Sequence, residues 1–259
     1  ALTATQLKGV TTAQLSGITA TALSNLSSTQ IGQLSNAQIG ALNTTNLGNL
    51  ATTQVSGLSA TQVGSLSATN LRSLSAASLG SLNATQVAGF TAAQISGLTA
   101  TALGNLKDTQ IALLTSTQVG ALSATNFSAL DATAIGALTA TQLKGVTTAQ
   151  LSGISATALG NLKDTEIALL ASTQVGALKP TSFSALDATA LGALTATQLS
   201  GLTTAELSGL TATAMGNLKD TEIALLASTQ IGALSATNFS ALDATALGAL
   251  TATQLKGVT

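Results

Sequence analysis

The sequence predicts an all-α repeat solenoid of very short capped helices, one per eight-residue repeat. Three observations predict it. Counting from Leu2 in steps of eight, all 33 positions to Val258 hold Leu, Ile, Val or Phe, and the residue five places after each, from Leu7 to Leu255, is always Leu, Ile, Val, Phe or Met. The second octad position is Ser, Thr, Asn or Asp in 25 of 32 octads and the fifth is Gln or Glu in 19 of 32, which is the spacing of a capping box. A short fixed period means one small unit stacked many times, so the fold is quasi-one-dimensional.

Each octad position has a physical reading in order. The apolar first residue falls at N′, just before the helix. The second is the N-cap, whose side-chain oxygen takes a backbone N–H of the first turn. The third is N1, where the single proline, Pro180, is favoured. The fourth is always Thr or Ala, which suits a crowded inner site. The fifth, at N3, returns a bond to the cap, and the apolar sixth, at N4, closes a hydrophobic staple with the first. Glycine at the seventh position, as in Gly32, Gly40, Gly64 and Gly120, suits a left-handed helix end. Asp164 and Glu166 lie in a first turn, where the helix dipole favours anions.

Competing folds fit less well. A continuous helix advances about 100° per residue, so its apolar face drifts by roughly 80° per octad and no fixed face forms. A coiled coil needs heptads, which are absent. The alternative is a β-solenoid with about three octads per coil, which Val, Ile and Thr favour. Against it, positions one and six have opposite parity and point to opposite faces of a strand. No octad folds alone: two buried apolar side chains contribute about 3–6 kcal/mol, whereas ordering eight residues costs on the order of 12 kcal/mol. Neighbouring octads must share one core, expected from positions one, four and six.

The whole of 1–259 reads as a single continuous array. A longer period of 56 residues, seven octads, is clearest over 82–249: Leu138 to Ala193 and Leu194 to Ala249 differ at 10 of 56 positions. Phe127, Phe183 and Phe239 share this spacing, as do Asp131, Asp187 and Asp243. Duplication is the simplest origin of the copies; a match of 56 residues to a physical spacing in an assembly is the sharper one. The string ALTATQLKGVT at 1–11 recurs at 137–147 and 249–259. Ends that repeat an interior string are expected of a piece of a longer array, or of a protomer whose ends neighbours cover.

Composition narrows function. Only 7% of residues are charged, net charge is −1, and His, Cys, Trp and Tyr are absent. No basic patch suggests nucleic acid. Thiolate and imidazole chemistry have no residues to carry them, and Ser recurs as a cap rather than as a lone nucleophile beside a base. No enzyme, cofactor, metal site or small-molecule substrate is expected, and no apolar run reaches membrane-spanning length. Lys163, Asp164 and Glu166, with Lys219, Asp220 and Glu222, read as first-turn charge clusters. Thr-x-Thr strings such as Thr139/Thr141 and Thr211/Thr213 read as caps or as a hydroxyl array. Met215 occupies a core position. Sequons at Asn83 and Asn126 matter only in a glycosylating pathway.

Octads such as SATQVGSL at Ser59 and the stretch Thr147 to Ile154 resemble the L-[ST]-x-x-Q-[VI]-x-A octapeptide arrays of very large secreted or surface-associated bacterial proteins, which are adhesin-like. The resemblance covers the whole chain. It implies an extracellular or cell-surface, bacterial setting and no defined chemistry. Together these features lead us to expect a structural protein that forms a filament, stalk or matrix fibre. Its partner would be itself, head to tail and laterally. The alternative is an adhesion module that binds ice, glycan or mineral through hydroxyl-rich faces. The residues expected to build core and assembly contacts are Leu2, Leu7, Val10, Phe127, Phe183, Phe239, Leu250, Leu255 and Val258. Self-association is expected because solenoid ends without polar caps expose apolar surface.

Overall fold

A computed structural model of the chain describes residues 3–258; Leu2 lies outside the described residues. Among them, 32 helices of four to six residues follow one another, one per octad, and no strand occurs. The protein is an all-α repeat solenoid. Contacts divide it into two compact units, Ala1–Asn126 and Phe127–Thr259, and the same local rule builds both.

The helix Asn36–Gly40 shows the rule. Ser35 is extended, with φ −69° and ψ 161°. Its Oγ accepts from Gln38 N at 3.2 Å, and its own N–H donates to Gln38 Oε1 at 2.7 Å. Leu34 and Ile39, at positions one and six, are both buried. The chain leaves the helix when Leu42 N–H donates to Ile39 O at 3.2 Å and the next extended cap begins. Where position two has no acceptor, half of the box survives: Ala51 N–H still donates to Gln54 Oε1 at 3.0 Å. Pro180 starts the helix Pro180–Phe183, as its missing N–H allows.

Two expectations are overturned. No glycine has positive φ among the described residues, so the seventh-position glycines are not left-handed caps. At some of them the role is close approach, while Gly104, Gly216 and Gly248 have open space. A Cβ on Gly32 would sit 2.6 Å from Gly57 O, and one on Gly64 would sit 2.7 Å from Gly89 O. Position four, expected inside, faces solvent: Thr45, Thr61, Thr141 and Thr213 are all exposed. Its place in the core belongs to position five. Of sixteen glutamines there, thirteen are buried, and the remaining three are Gln6, Gln14 and Gln30 near the start of the chain.

These buried glutamines define the turn. In the first unit, Gln86 Nε2 donates to Val55 O at 2.7 Å and to Leu58 O at 2.8 Å. In the second, Gln198 Nε2 donates to Ile167 O at 2.9 Å and Leu170 O at 2.8 Å. One partner lies 28 residues back, at position one, and the other 31 back, at position six, except that Gln254 reaches Ala224 O, 30 back, in place of the second. One turn is therefore 28 residues, and 28 divided by eight is three and a half octads. Each helix therefore begins over the joint between two helices of the turn before, like staggered brickwork, and packs chiefly on the later of the two. Octad register returns only after two turns, which is 56 residues. The long sequence period is thus the smallest stretch that is both a whole number of octads and a whole number of turns.

Candidate assembly surfaces

One side chain at position five performs two tasks. Oε1 accepts the cap N–H of its own helix, while Nε2 bridges to the turn before. Both carbonyls it reaches are buried, where an unmet polar group costs about 1–3 kcal/mol. The seam between turns is therefore apolar at positions one and six and hydrogen-bonded at position five. Asn238 makes the same reach, to Leu207 O at 3.3 Å and Leu210 O at 3.0 Å, but its shorter side chain leaves Oδ1 buried without a partner. Ser182 reaches only Ile154 O, at 2.9 Å.

Glutamate replaces glutamine at this position in three octads, and a carboxylate has no N–H to give. Two of the three have lysine as N-cap. Lys163 Nζ lies 3.4 Å from Glu166 Oε1 and donates to Gly136 O, in the turn before, at 2.8 Å. Lys219 Nζ likewise donates to Gly192 O. The ammonium restores a donor across the seam. Burial pushes the Glu222 carboxyl above its usual range, opposed by the Lys219 main chain and ammonium. These clusters, read as simple first-turn charges, also join turns.

The seam is polar in direction: position five looks back one turn and position six looks forward. At the start of the first unit, Gln6 and Gln14 are exposed, whereas Leu7, at position six, is already buried. Val10 is half-buried. Late in the second unit the pattern inverts. Gln254 and Ala246 are buried, but Leu247 is 39% exposed, Leu255 45% and Val258 38%. Leu250 is buried and Phe239 half-buried. Phe127 and Phe183 are fully buried, so those two are core side chains and not knobs on the surface. Met215 is fully buried as expected.

A further apolar feature escaped the sequence reading. Leu169 and Leu225, at octad position eight, are 45% and 55% exposed and lie two turns apart on one face of the second unit. Leu113 holds the same octad position in the first unit and is also exposed. The signal was present, since position eight is otherwise Ala, Gly, Asn or another small or polar residue. The Asn126 side chain is buried, with Nδ2 on Leu98 O at 2.8 Å, and so is committed to the seam. Among the described residues no helix is long and apolar enough to cross a membrane, and no three His, Cys, Asp or Glu side chains are grouped to hold a metal. Compared with known proteins, the chain matches no protein-family model and no curated protein.

Proposed function

We propose that this chain is a structural protein that builds an extracellular filament, stalk or matrix fibre by stacking of repeats and self-association. One observation carries the reading: the seam is directional, with position five donating back one turn and the carbonyls of positions six and one accepting from the turn ahead. A turn of one copy therefore carries what a turn of another copy needs, and heterologous contacts that do not close on themselves give filaments. Leu169 and Leu225 add a lateral contact at two-turn spacing. Low charge leaves little repulsion against either. The resemblance to surface arrays supports the extracellular, bacterial setting. Sedimentation velocity and electron microscopy test the reading. Particles that lengthen with concentration are expected; a monomer at high concentration with no fibres refutes it.

A second reading, adhesion to ice, glycan or mineral, is favoured by position four. It holds Thr in 26 of 32 octads, and those threonines face solvent. Cap hydroxyls such as Thr139 Oγ1 are occupied by Gln142, whereas the outward threonines repeat every eight residues. Thermal hysteresis in dilute solution separates ice binding from a purely structural role.

A further inference from the structure

Glu206 is the third glutamate of the seam, and it lacks what the other two have. Its N-cap is Thr203, not lysine. Oε2 accepts from Thr203 N at 2.7 Å and from Thr203 Oγ1 at 2.8 Å. Oε1 is buried and has no hydrogen-bond partner, and the residue as a whole is 2% exposed. The register of every neighbouring glutamine, 31 and 28 residues back, sets the carbonyls of Val175 and Leu178 opposite this oxygen. Three oxygens that only accept thus meet at one point of the seam. In the preceding 56-residue copy the same position is Gln150.

We propose that Glu206 hydrogen-bonds its turn to the one before only when its carboxyl carries a proton, making this seam a pH-sensitive joint. Protonated, Oε1–H donates to a carbonyl as a glutamine amide does. Ionised, the carboxylate faces carbonyl dipoles with their negative ends toward it, out of reach of water. The helix Thr204–Ser208 packs against Pro180–Phe183 and Ser228–Ile231. The first brings one charged group, Lys179 at its N-cap, which is exposed and does not bond Oε1; the second brings none. Lys163 and Lys219 sit in other octads, beside their own glutamates.

Burial raises the Glu206 carboxyl above its ordinary value, and the two Thr203 bonds pull the other way. A group whose folded-state value is raised contributes stability that is full below its unfolded value. That contribution is lost as pH climbs through the folded value. The joint therefore tightens in mild acid and loosens toward neutral and alkaline pH, the reverse of the usual acid loss of a paired carboxylate.

The test uses the full chain, its E206Q variant and its T203K variant. Carbon-13 titration of the nine side-chain carboxyls should show a resonance with a raised midpoint that is absent from E206Q, beside the raised resonance of Glu222, which E206Q keeps. Melting temperature, read by circular dichroism, should be equal for wild type and E206Q in mild acid. The variant should lead by roughly 5 °C above neutrality, on the scale of one or two hydrogen bonds. T203K copies the Lys163–Glu166 arrangement and should flatten the pH dependence. The proposal is overturned if no raised resonance is lost in E206Q, or if the gap to E206Q does not widen with pH. It is also overturned if T203K keeps the full pH dependence.

Discussion

Replacing Gln198 with Ala tests whether the amide seam, rather than the leucine core alone, holds the turns together. The change removes bonds to Ile167 O at 2.9 Å and Leu170 O at 2.8 Å, and the return bond from Thr195 N at 2.9 Å. Each contributes about 0.5–1.5 kcal/mol net, so the three together come to roughly 1.5–4.5 kcal/mol. The upper end applies if the vacated carbonyls stay dry. Alanine itself is compatible with the site: Ala190 and Ala214 occupy position five, and their N–H groups still donate to the cap side chains of Asp187 and Thr211. The loss therefore reports the amide and not a broken helix. For a chain of this size about 2–4 °C accompanies each kcal/mol, so melting should fall by roughly 3–18 °C. Circular dichroism at 222 nm against Thr197→Ala, an exposed neighbour, gives the comparison. If Gln198→Ala melts within about 2 °C of that control, water replaces the amide freely and the argument from the seam is wrong.

Glycine has two opposite roles, and alanine distinguishes them. A Cβ on Gly201 would meet Ser172 Cβ at 2.7 Å, so Gly201→Ala should cost about 1–3 kcal/mol in chemical denaturation. One on Gly216, inside the helix Ala212–Asn217, meets nothing within 4 Å, and Gly216→Ala should stabilise by about 0.5–1 kcal/mol. Fully buried Phe183 replaced by Ala should cost about 3–5 kcal/mol, and half-buried Phe239 clearly less; equal losses would contradict the burial pattern. Leu169→Asp with Leu225→Asp should leave melting nearly unchanged while reducing side-by-side association in light scattering. Unchanged scattering would remove lateral contact from the proposed assembly.

Capping chemistry made the helices legible because it is local: Ser35 and Gln38 lie three residues apart, and their bond needs nothing else in the fold. Pro180, Asp164 and the staple pairs were readable for the same reason. What was missed depends on groups about 28 residues away. Glutamine was read as a cap partner alone, yet a clue stood in its favour over glutamate, sixteen to three, at a helix start where the dipole prefers the acid. That preference marks a need for an N–H donor. Position four looked like an inner site because it holds only Thr or Ala, and small size alone does not say which way N2 points. The octad and its 56-residue multiple implied a whole number of turns per seven octads, but only the Nε2 partners show that the number is two.

The half-octad stagger also constrains how such a gene can change length. A slip of one octad preserves every cap and every seam bond type, so the altered chain still folds. It nevertheless turns everything beyond it by 8 of 28 residues, roughly 100°, as small per-repeat rotations accumulate along a solenoid. Leu225 would then no longer share a side with Leu169. Gain or loss of seven octads leaves both alignments intact. Selection on an exposed side would therefore tolerate copy-number changes in blocks of 56 and weed out single octads, even though both fold equally well.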